Sequence, residues 1–252
     1  MLKSLFVQFW WVIPLLIVGA VVKTPWFKGV FGEWLVRVLA KFFLDPTEYR
    51  PIHNVTLKTP DGTTQIDHVF VSRFGVFVVE TKNYSGWIFG GEHQPTWTQK
   101  IFKITNKFQN PLRQNYKHVK ALEALLNIPS EQIHSVVVFV GGSEFKTPMP
   151  PNVTYAGGYI SYIKSKNEIV FSLSEVESII TAISTGRMAP SFATNKEHVQ
   201  NVKRRLDSEA ARLCPKCGAE MVLRTTKSGE NAGSKFWGCA AFPKCRTVQS
   251  IT

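Results

Sequence analysis

Glu80 and Lys82 stand two apart at the end of an apolar, β-branched run, Val76-Phe77-Val78-Val79-Glu80-Thr81-Lys82, and Asp67 stands in the preceding run, Gln65-Ile66-Asp67-His68. Such a run predicts a buried strand, whose period of two sends Glu80 and Lys82 to one face. If Ser72-Arg73-Phe74-Gly75 closes the two runs into an antiparallel hairpin, Asp67 returns beside Glu80. Two carboxylates and one amine at one spot are what a hard divalent cation and an attacking water require. The competing reading is a solvated ion pair on a strand rim, which contributes little to stability. Charges next to so apolar a strand weigh against it, because burying them is costly without a partner or a metal.

The flanking elements have to position these groups. Apolar residues recur at helical spacing from Val30 to Leu44, with Glu33 near the start and Asp45-Pro46 as the stop. Residues 51–58, 64–72 and 75–82 read as strands, with a turn at Pro60-Asp61-Gly62. Trp87-Ile88-Phe89 and Trp97-Thr98-Gln99-Lys100 predict a further short hairpin. Asn110 caps a helix that has Pro111 at its first position and runs to about residue 127. Gln114 lies one turn into it, with Lys117 and His118 on an adjoining face. Val136-Val137-Val138-Phe139-Val140 predicts a central strand ended by Gly141-Gly142. A last helix is expected over 174–185, opened by a capping box of Ser174 and Glu177.

The order Asp67, then Glu80-Thr81-Lys82, resembles the signature of the PD-(D/E)xK restriction-endonuclease-like nucleases, and more closely the nuclease-related domain called NERD. Gly32-Glu33 before Trp34-Leu35-Val36, Asn83-Tyr84-Ser85-Gly86 after the lysine, and Asn110-Pro111-Leu112-Arg113-Gln114 agree with it, over about residues 29 to 145. Ile66 stands where the signature has proline. The resemblance implies an α/β fold, a restriction-endonuclease-like mixed sheet flanked by helices, occupying residues 24–190. It implies Mg²⁺ or Mn²⁺ held by Asp67, Glu80 and the Thr81 carbonyl, with Lys82 orienting or deprotonating the attacking water. Gln114 would touch the site or the DNA. Glu33 is in reach of the same metal, although the helix dipole favours a glutamate in a first turn anyway. His53, His68 and His93 are assigned no role.

The chain is strongly basic, with a net charge of +12 and a pI near 9.6, which favours an acidic partner, nucleic acid or an anionic membrane face. Residues 4–22 are uncharged and bracketed by Lys3 and Lys23. As a helix they would extend roughly 28 Å, the thickness of a bilayer's hydrocarbon core, with Pro14 as a kink. A cleaved secretory signal is the alternative, with Val18-Gly19-Ala20 as its cleavage site. Lys23, Lys28, Arg37 and Lys41 follow the segment while Lys3 alone precedes it. That bias predicts a single-pass protein of the cytoplasmic membrane with its body on the cytoplasmic side.

All four cysteines lie near the C-terminus, in Cys214-Pro215-Lys216-Cys217 and Cys239-Ala240-Ala241-Phe242-Pro243-Lys244-Cys245. Cys214, Cys217, Cys239 and Cys245 would give one tetrahedral zinc four thiolates, two disulfides being the alternative. Residues 212–252 resemble the C-terminal zinc ribbon of bacterial type I topoisomerases, which implies an accessory that binds single-stranded DNA. Residues 196–252 carry eleven Lys and Arg against five Asp and Glu. Arg224, Phe236, Trp237, Lys244 and Arg246 are the candidate DNA contacts, with Phe242 a further stacking face; the alternative for the three aromatics is the ribbon's own small core. Residues 191–211 read as a linker or a solvated helix.

These readings converge on a membrane-anchored, metal-dependent nuclease that cleaves DNA, endo- or exonucleolytic. A catalytically silent DNA-binding protein and an interaction scaffold are the alternatives, and the presence of Asp67, Glu80 and Lys82 together argues for the enzyme.

Overall fold

The computed structural model describes residues 12–60, 62–206, 212–228 and 233–250. It opens with helices α1 (Val12–Val22) and α2 (Pro25–Phe43), joined at a bend of 73°. Thr24 makes the join: its hydroxyl accepts from Phe27 N at 3.2 Å, and Pro25 occupies the first turn of α2.

Three antiparallel strands follow, β1 (Arg50–Thr59), β2 (Gly62–Ser72) and β3 (Gly75–Asn83), then β4 (Gly86–Phe89), β5 (Thr96–Ile101) and β6 (Ile104–Gln109). Helix α3 (Pro111–Leu126) crosses to β7 (Ile133–Val140), after which come β8 (Ser143–Phe145), β9 (Val153–Tyr155), α4 (Gly158–Lys164), α5 (Leu173–Gly186) and α6 (Phe192–Leu206). The main sheet has the order β1-β2-β3-β7-β9, with β7 parallel to both β3 and β9. A second sheet has the order β6-β5-β4-β8.

Helices cover both faces of the main sheet. Val36, Ala40 and Leu44 at α2 pack with Tyr159, Ile160 and Ile163 of α4 against Phe70, Phe77, Val79 and Val138. On the other face Val119 and Leu122 of α3 join Val176, Ile179 and Ile183 of α5 over Val69, Val71, Val76 and Val78. Ile88 and Trp97 of the second sheet close over Val137, Phe139 and Val153. The mixed α/β layering expected from the sequence is therefore present.

Several details differ from the expectations. The capping box of α5 is formed by Ser172 and Glu175, two residues earlier than Ser174 and Glu177. Phe171 and Val176, on either side of it, enter the same core, and this hydrophobic staple selects the register. Glu177 instead pairs with Arg50 at 3.1 Å. The stretch read as a linker or solvated helix is helix α6 from Phe192 to Leu206, seated on β2 through His198 Nδ1 and Asn201 Nδ2 against Thr63 Oγ1; its last residues, 207–211, lie outside the described ones.

Residues 4–11 of the expected membrane segment, and Asp61 of the expected turn, also lie outside the described residues. The remainder of the segment is α1, which buries no residue. Among the described residues no single helix is long and apolar enough to cross a membrane; α1 and α2 meet the requirement only as a bent pair.

The C-terminal unit is a four-stranded antiparallel sheet, β10 (Arg212–Leu213), β11 (Glu220–Thr225), β12 (Lys235–Cys239) and β13 (Val248–Ser250).

Candidate active site and cysteine cluster

Pairing of β2 with β3 runs from Ser72 opposite Gly75 to His68 opposite Val79 and stops there. One step on, Asp67 comes opposite Glu80, and the Asp67 side chain takes over from the ladder: Oδ2 accepts from Thr81 N at 2.8 Å. On the other edge of β2, Asp67 faces Asn54, whose φ is 52°. Pairing with β1 skips that position, and Ile66 and Val69, three apart, enter the same core. The strand's alternation breaks at Asp67, which re-aims this side chain as bulges beside active sites do.

Glu80 and Lys82 share the face of β3 that α3 covers. Lys82 Nζ donates to Glu80 Oε1 at 2.7 Å and to Gln114 Oε1 at 2.9 Å. His118, one turn beyond Gln114, sits 3.1 Å from Glu80 Oε2 through Nε2 and 2.8 Å from Thr64 Oγ1 through Nδ1. A carboxylate only accepts, so Nε2 carries the proton. Asn115 fixes the helix: its buried Nδ2 lies within 3.1 Å of Val78 O, Ser135 Oγ and Val136 O, between the two strands. Asn110 caps α3 and donates to the carbonyls of Gly91, Glu92 and Gln94, tying its start to the β4–β5 connection.

Glu33 arrives from α2. A Cβ on Gly32 would meet Val140 Cγ2 at 3.0 Å, Asn83 Cβ at 3.2 Å and Thr81 Cγ2 at 3.3 Å, so the glycine lets α2 lie against the end of β3. Glu33 pairs with Arg37 at 3.3 Å.

The electrostatics are those of crowded, buried charge. Desolvation, with Glu80 and Glu33 nearby, holds the Asp67 carboxyl well above its ordinary range. Burial also raises Glu33, with Glu80 adding to it against Arg37. Burial opposes ionisation of Glu80, but Lys82 and His118 outweigh it and bring this carboxyl below its usual value. Desolvation works against the Lys82 ammonium, yet Glu80 raises it above its ordinary value. The charges of Asp67, Glu80 and Glu33 repel one another around the end of β3, which disfavours ionisation of Asp67 and Glu33, whereas among the described residues only the four cysteines bring three or more metal-ligating atoms within 4.8 Å. An open cleft of about 620 Å³ adjoins the cluster, bordered by Lys28, Gly29, Thr81, Lys82, Gln99 and Ile101.

The structure thus puts Glu80, Lys82 and Gln114 in direct contact, with Asp67 on the neighbouring Thr81 amide and Glu33 paired with Arg37. It adds His118, Thr64 and Asn115, to which the sequence reading gave no role. The Gln114–His118 spacing of four was the available signal, since it places both on one stripe of α3. Arg113 and Lys117 are exposed, and Arg113 donates to His93 O at 2.7 Å.

In the C-terminal unit the sulfur atoms of Cys214, Cys217, Cys239 and Cys245 lie within 4.8 Å of one another, with Cys214–Cys245 at 3.7 Å and Cys217–Cys239 at 3.4 Å. These are far beyond a disulfide bond and near the ~3.8 Å edge of a tetrahedron built on ~2.3 Å zinc–sulfur bonds. Burial disfavours the Cys214 thiolate, but the Lys216 and Cys217 amides bring the thiol down to about 6. Of the two readings of Trp237 the structure takes the core: it is 5% exposed among Met221 and the buried cysteines, so its ring is no stacking face. Phe242 is 57% exposed, and the Arg224 guanidinium lies 5.8 Å from its centroid.

A mixed sheet with a carboxylate–lysine cluster at a diverging strand end, followed by a four-cysteine ribbon, defines a nuclease-like α/β domain joined to a zinc-binding module. Residues 28–140 match the family model of the nuclease-related domain, and residues 211–252 match that of the topoisomerase DNA binding C4 zinc finger. An uncharacterized protein of Bacillus anthracis is 55% identical over 112 residues, which cover 43% of this chain and 52% of that protein. The chain therefore spans about half the length of this curated relative. No solved structure matches.

Proposed function

We propose that this protein is a divalent-metal-dependent nuclease hydrolysing DNA phosphodiesters, held at a membrane by its N-terminal apolar helices, with the ribbon as a zinc-stabilised DNA-binding accessory. The observation that carries it is Lys82 Nζ shared between Glu80 and Gln114, beside an Asp67 that the strand ends aim at the same spot.

Asp67, Glu80 and Glu33, with the Thr81 carbonyl, would hold Mg²⁺ or Mn²⁺. Bound there, the ion supplies charge neutralisation at the phosphate and a lowered pKa for water. Lys82 is held as an ammonium by Glu80, so it acts through charge and hydrogen bonding: it orients the attacking water and offsets negative charge gathering on the phosphorus oxygens. Gln114 fixes its direction. His118 donates to Glu80 while Thr64 donates to the other ring nitrogen, which locks one tautomer and one carboxylate orientation. The Arg224–Phe242 surface of the ribbon offers a cation and an aromatic face to single-stranded DNA.

The test is metal-dependent cleavage of single- and double-stranded DNA by the wild type, Asp67→Asn and Glu80→Gln. Both variants should lose cleavage by at least about 10²-fold with DNA affinity nearly kept. Cleavage at the wild-type rate by both would remove the assignment, and binding without cleavage by the wild type would leave a DNA-binding protein.

A further inference from the structure

The hairpin of β5 and β6 ends in a two-residue tip, Phe102-Lys103, between the paired Ile101 and Ile104. Phe102 is 94% exposed and has a φ of 50°. This is the left-handed region, which a bulky residue adopts only at a cost and which glycine fills in most such hairpins. Nothing within the hairpin requires an aromatic ring there, and strain of this kind persists where a position serves something outside the fold.

The hairpin is also chemically one-sided. Between residues 96 and 109 it carries Lys100, Lys103 and Lys107 and no acidic residue. Lys100, Lys107 and Thr105 share one face by register, and all three are exposed. Its base is rigid and seated at the catalytic cleft. Gln99 donates to Ser85 O at 2.9 Å, Gly86 with φ 78° lets the Lys100 carbonyl approach closely, and Trp97 is fully buried with its indole N–H on Gly91 O. Gln99 and Ile101 border the cleft that also contains Thr81 and Lys82. Phe102 directly follows Ile101, so the tip stands one residue, about 3 Å, beyond that border.

We infer that this hairpin is a duplex DNA reader for the adjoining site: the lysine face follows the phosphates of a groove and Phe102 enters between base steps as an apolar wedge. The inference rests on the reading of the site as a DNA nuclease. A two-stranded ribbon fits a DNA groove, and apolar side chains inserted between steps unstack and bend the duplex. Such a bend would present the backbone to Lys82. A lipid surface is disfavoured because Thr105, Asn106 and Lys107 are exposed directly beside the tip, where acyl chains would have to take them up.

The experiment uses the full chain in detergent, in a Glu80→Gln background that blocks cleavage, and a duplex with 2-aminopurine at successive positions. Binding should raise the fluorescence at one or two adjacent steps. Phe102→Ala should abolish that rise and weaken duplex binding about tenfold, Phe102→Trp should retain both, and Lys103→Glu with Lys107→Glu should lower the salt slope of binding by about 2. Phe102 is exposed and packs on nothing, so these variants fold. Phe242→Ala in the ribbon should leave the duplex signal in place. An unchanged signal in Phe102→Ala, or loss of binding to anionic vesicles with duplex binding kept, overturns the wedge while wild-type cleavage still stands. Absence of both cleavage and binding in the wild type overturns the site's reading and the wedge with it.

Discussion

His118 Nε2 lies 3.1 Å from Glu80 Oε2, on the opposite carboxylate oxygen from the one that Lys82 contacts at 2.7 Å. Glu80 is therefore gripped from both sides, by a residue of its own strand and by one from α3, and its orientation is set before any ligand arrives. His118→Ala should lower activity or metal affinity about 10–100-fold, the usual cost of losing an outer partner of a ligand. Titrating activity against Mn²⁺ separates the cases: an increased metal requirement with maximal rate nearly kept identifies a positioning role. A change in neither quantity would remove His118 from the site.

Gly32 fixes how close α2 lies to β3. A side chain there meets Val140, Asn83 and Thr81 at 3.0 to 3.3 Å from its first atom alone, so Gly32→Val has to push the helix outward. Glu33 moves with it. A displacement of about 1 Å at a reacting constellation costs on the order of 10²-fold in rate. Cleavage should fall far more than thermal stability does; wild-type cleavage in Gly32→Val would detach Glu33 from the chemistry.

The rings of His53 and His68 touch through their Nδ1 atoms at 3.0 Å, on neighbouring strands and behind the site. Burial, then the nearby Arg37, holds His53 down at about 4; burial, then His53 and Arg37, holds His68 down at about 3. The unfolded chain takes up these protons below about 6.5, whereas the folded one does so only near 4 and 3. Between those values the unfolded state binds more protons, so stability is full above pH 6.5 and is lost as the pH falls toward 4. Asp67 and Glu33, with raised values, act in the opposite sense, so the comparison has to be made against a variant. His68→Gln should flatten the acid slope of denaturant stability by about 1 kcal/mol per pH unit; an identical slope would mean that His68 is not held neutral by the fold.

The hairpin of β2 and β3 was legible because its determinants are local: a two-residue turn, a strand period of two and an apolar run bring Asp67 opposite Glu80 without reference to the rest of the chain. Asn110-Pro111 marked the start of α3 for the same reason. His118 and Asn115 were not legible, because their roles depend on which face of α3 meets β3, a contact between residues nearly forty apart. The capping box of α5 was misplaced because Ser172-Leu173-Ser174-Glu175 and Ser174-Glu175-Val176-Glu177 satisfy the same pattern, and only burial of Phe171 with Val176 separates them. For Trp237 the sequence left a stacking face and the ribbon's small core both open, and burial with Met221 and the cysteines selects the core.

That core consists of Cys214, Met221, Trp237, Cys239 and Cys245, so three of its five buried members are cysteines. Without zinc so little apolar surface cannot offset the ordering of the chain. The protein should carry one zinc per chain, and chelation should render the ribbon protease-sensitive while the α/β body stays resistant. Cys214→Ser should lower zinc content; full zinc retention in that variant would exclude Cys214 as a required ligand.

The proposed attachment to a membrane rests on apolar surface that the described fold leaves uncovered. Helix α1 exposes Leu15, Leu16, Ile17 and Val18, and the start of α2 exposes Trp26, Val30, Phe31 and Trp34 beyond the 73° bend. An apolar helix pair holds by burial in lipid, which salt does not screen, whereas a basic surface is released as the Debye length shortens. The full chain should therefore remain with membranes through a 1 M salt wash and leave them in detergent. Lys23, Lys28, Arg37 and Lys41 follow α1, so the proposed orientation has the body on the cytoplasmic side, and protease added to intact cells should then spare the ribbon. Recovery in the soluble fraction after the wash would reduce the attachment to an electrostatic one, and cleavage of the ribbon from outside would reverse the orientation.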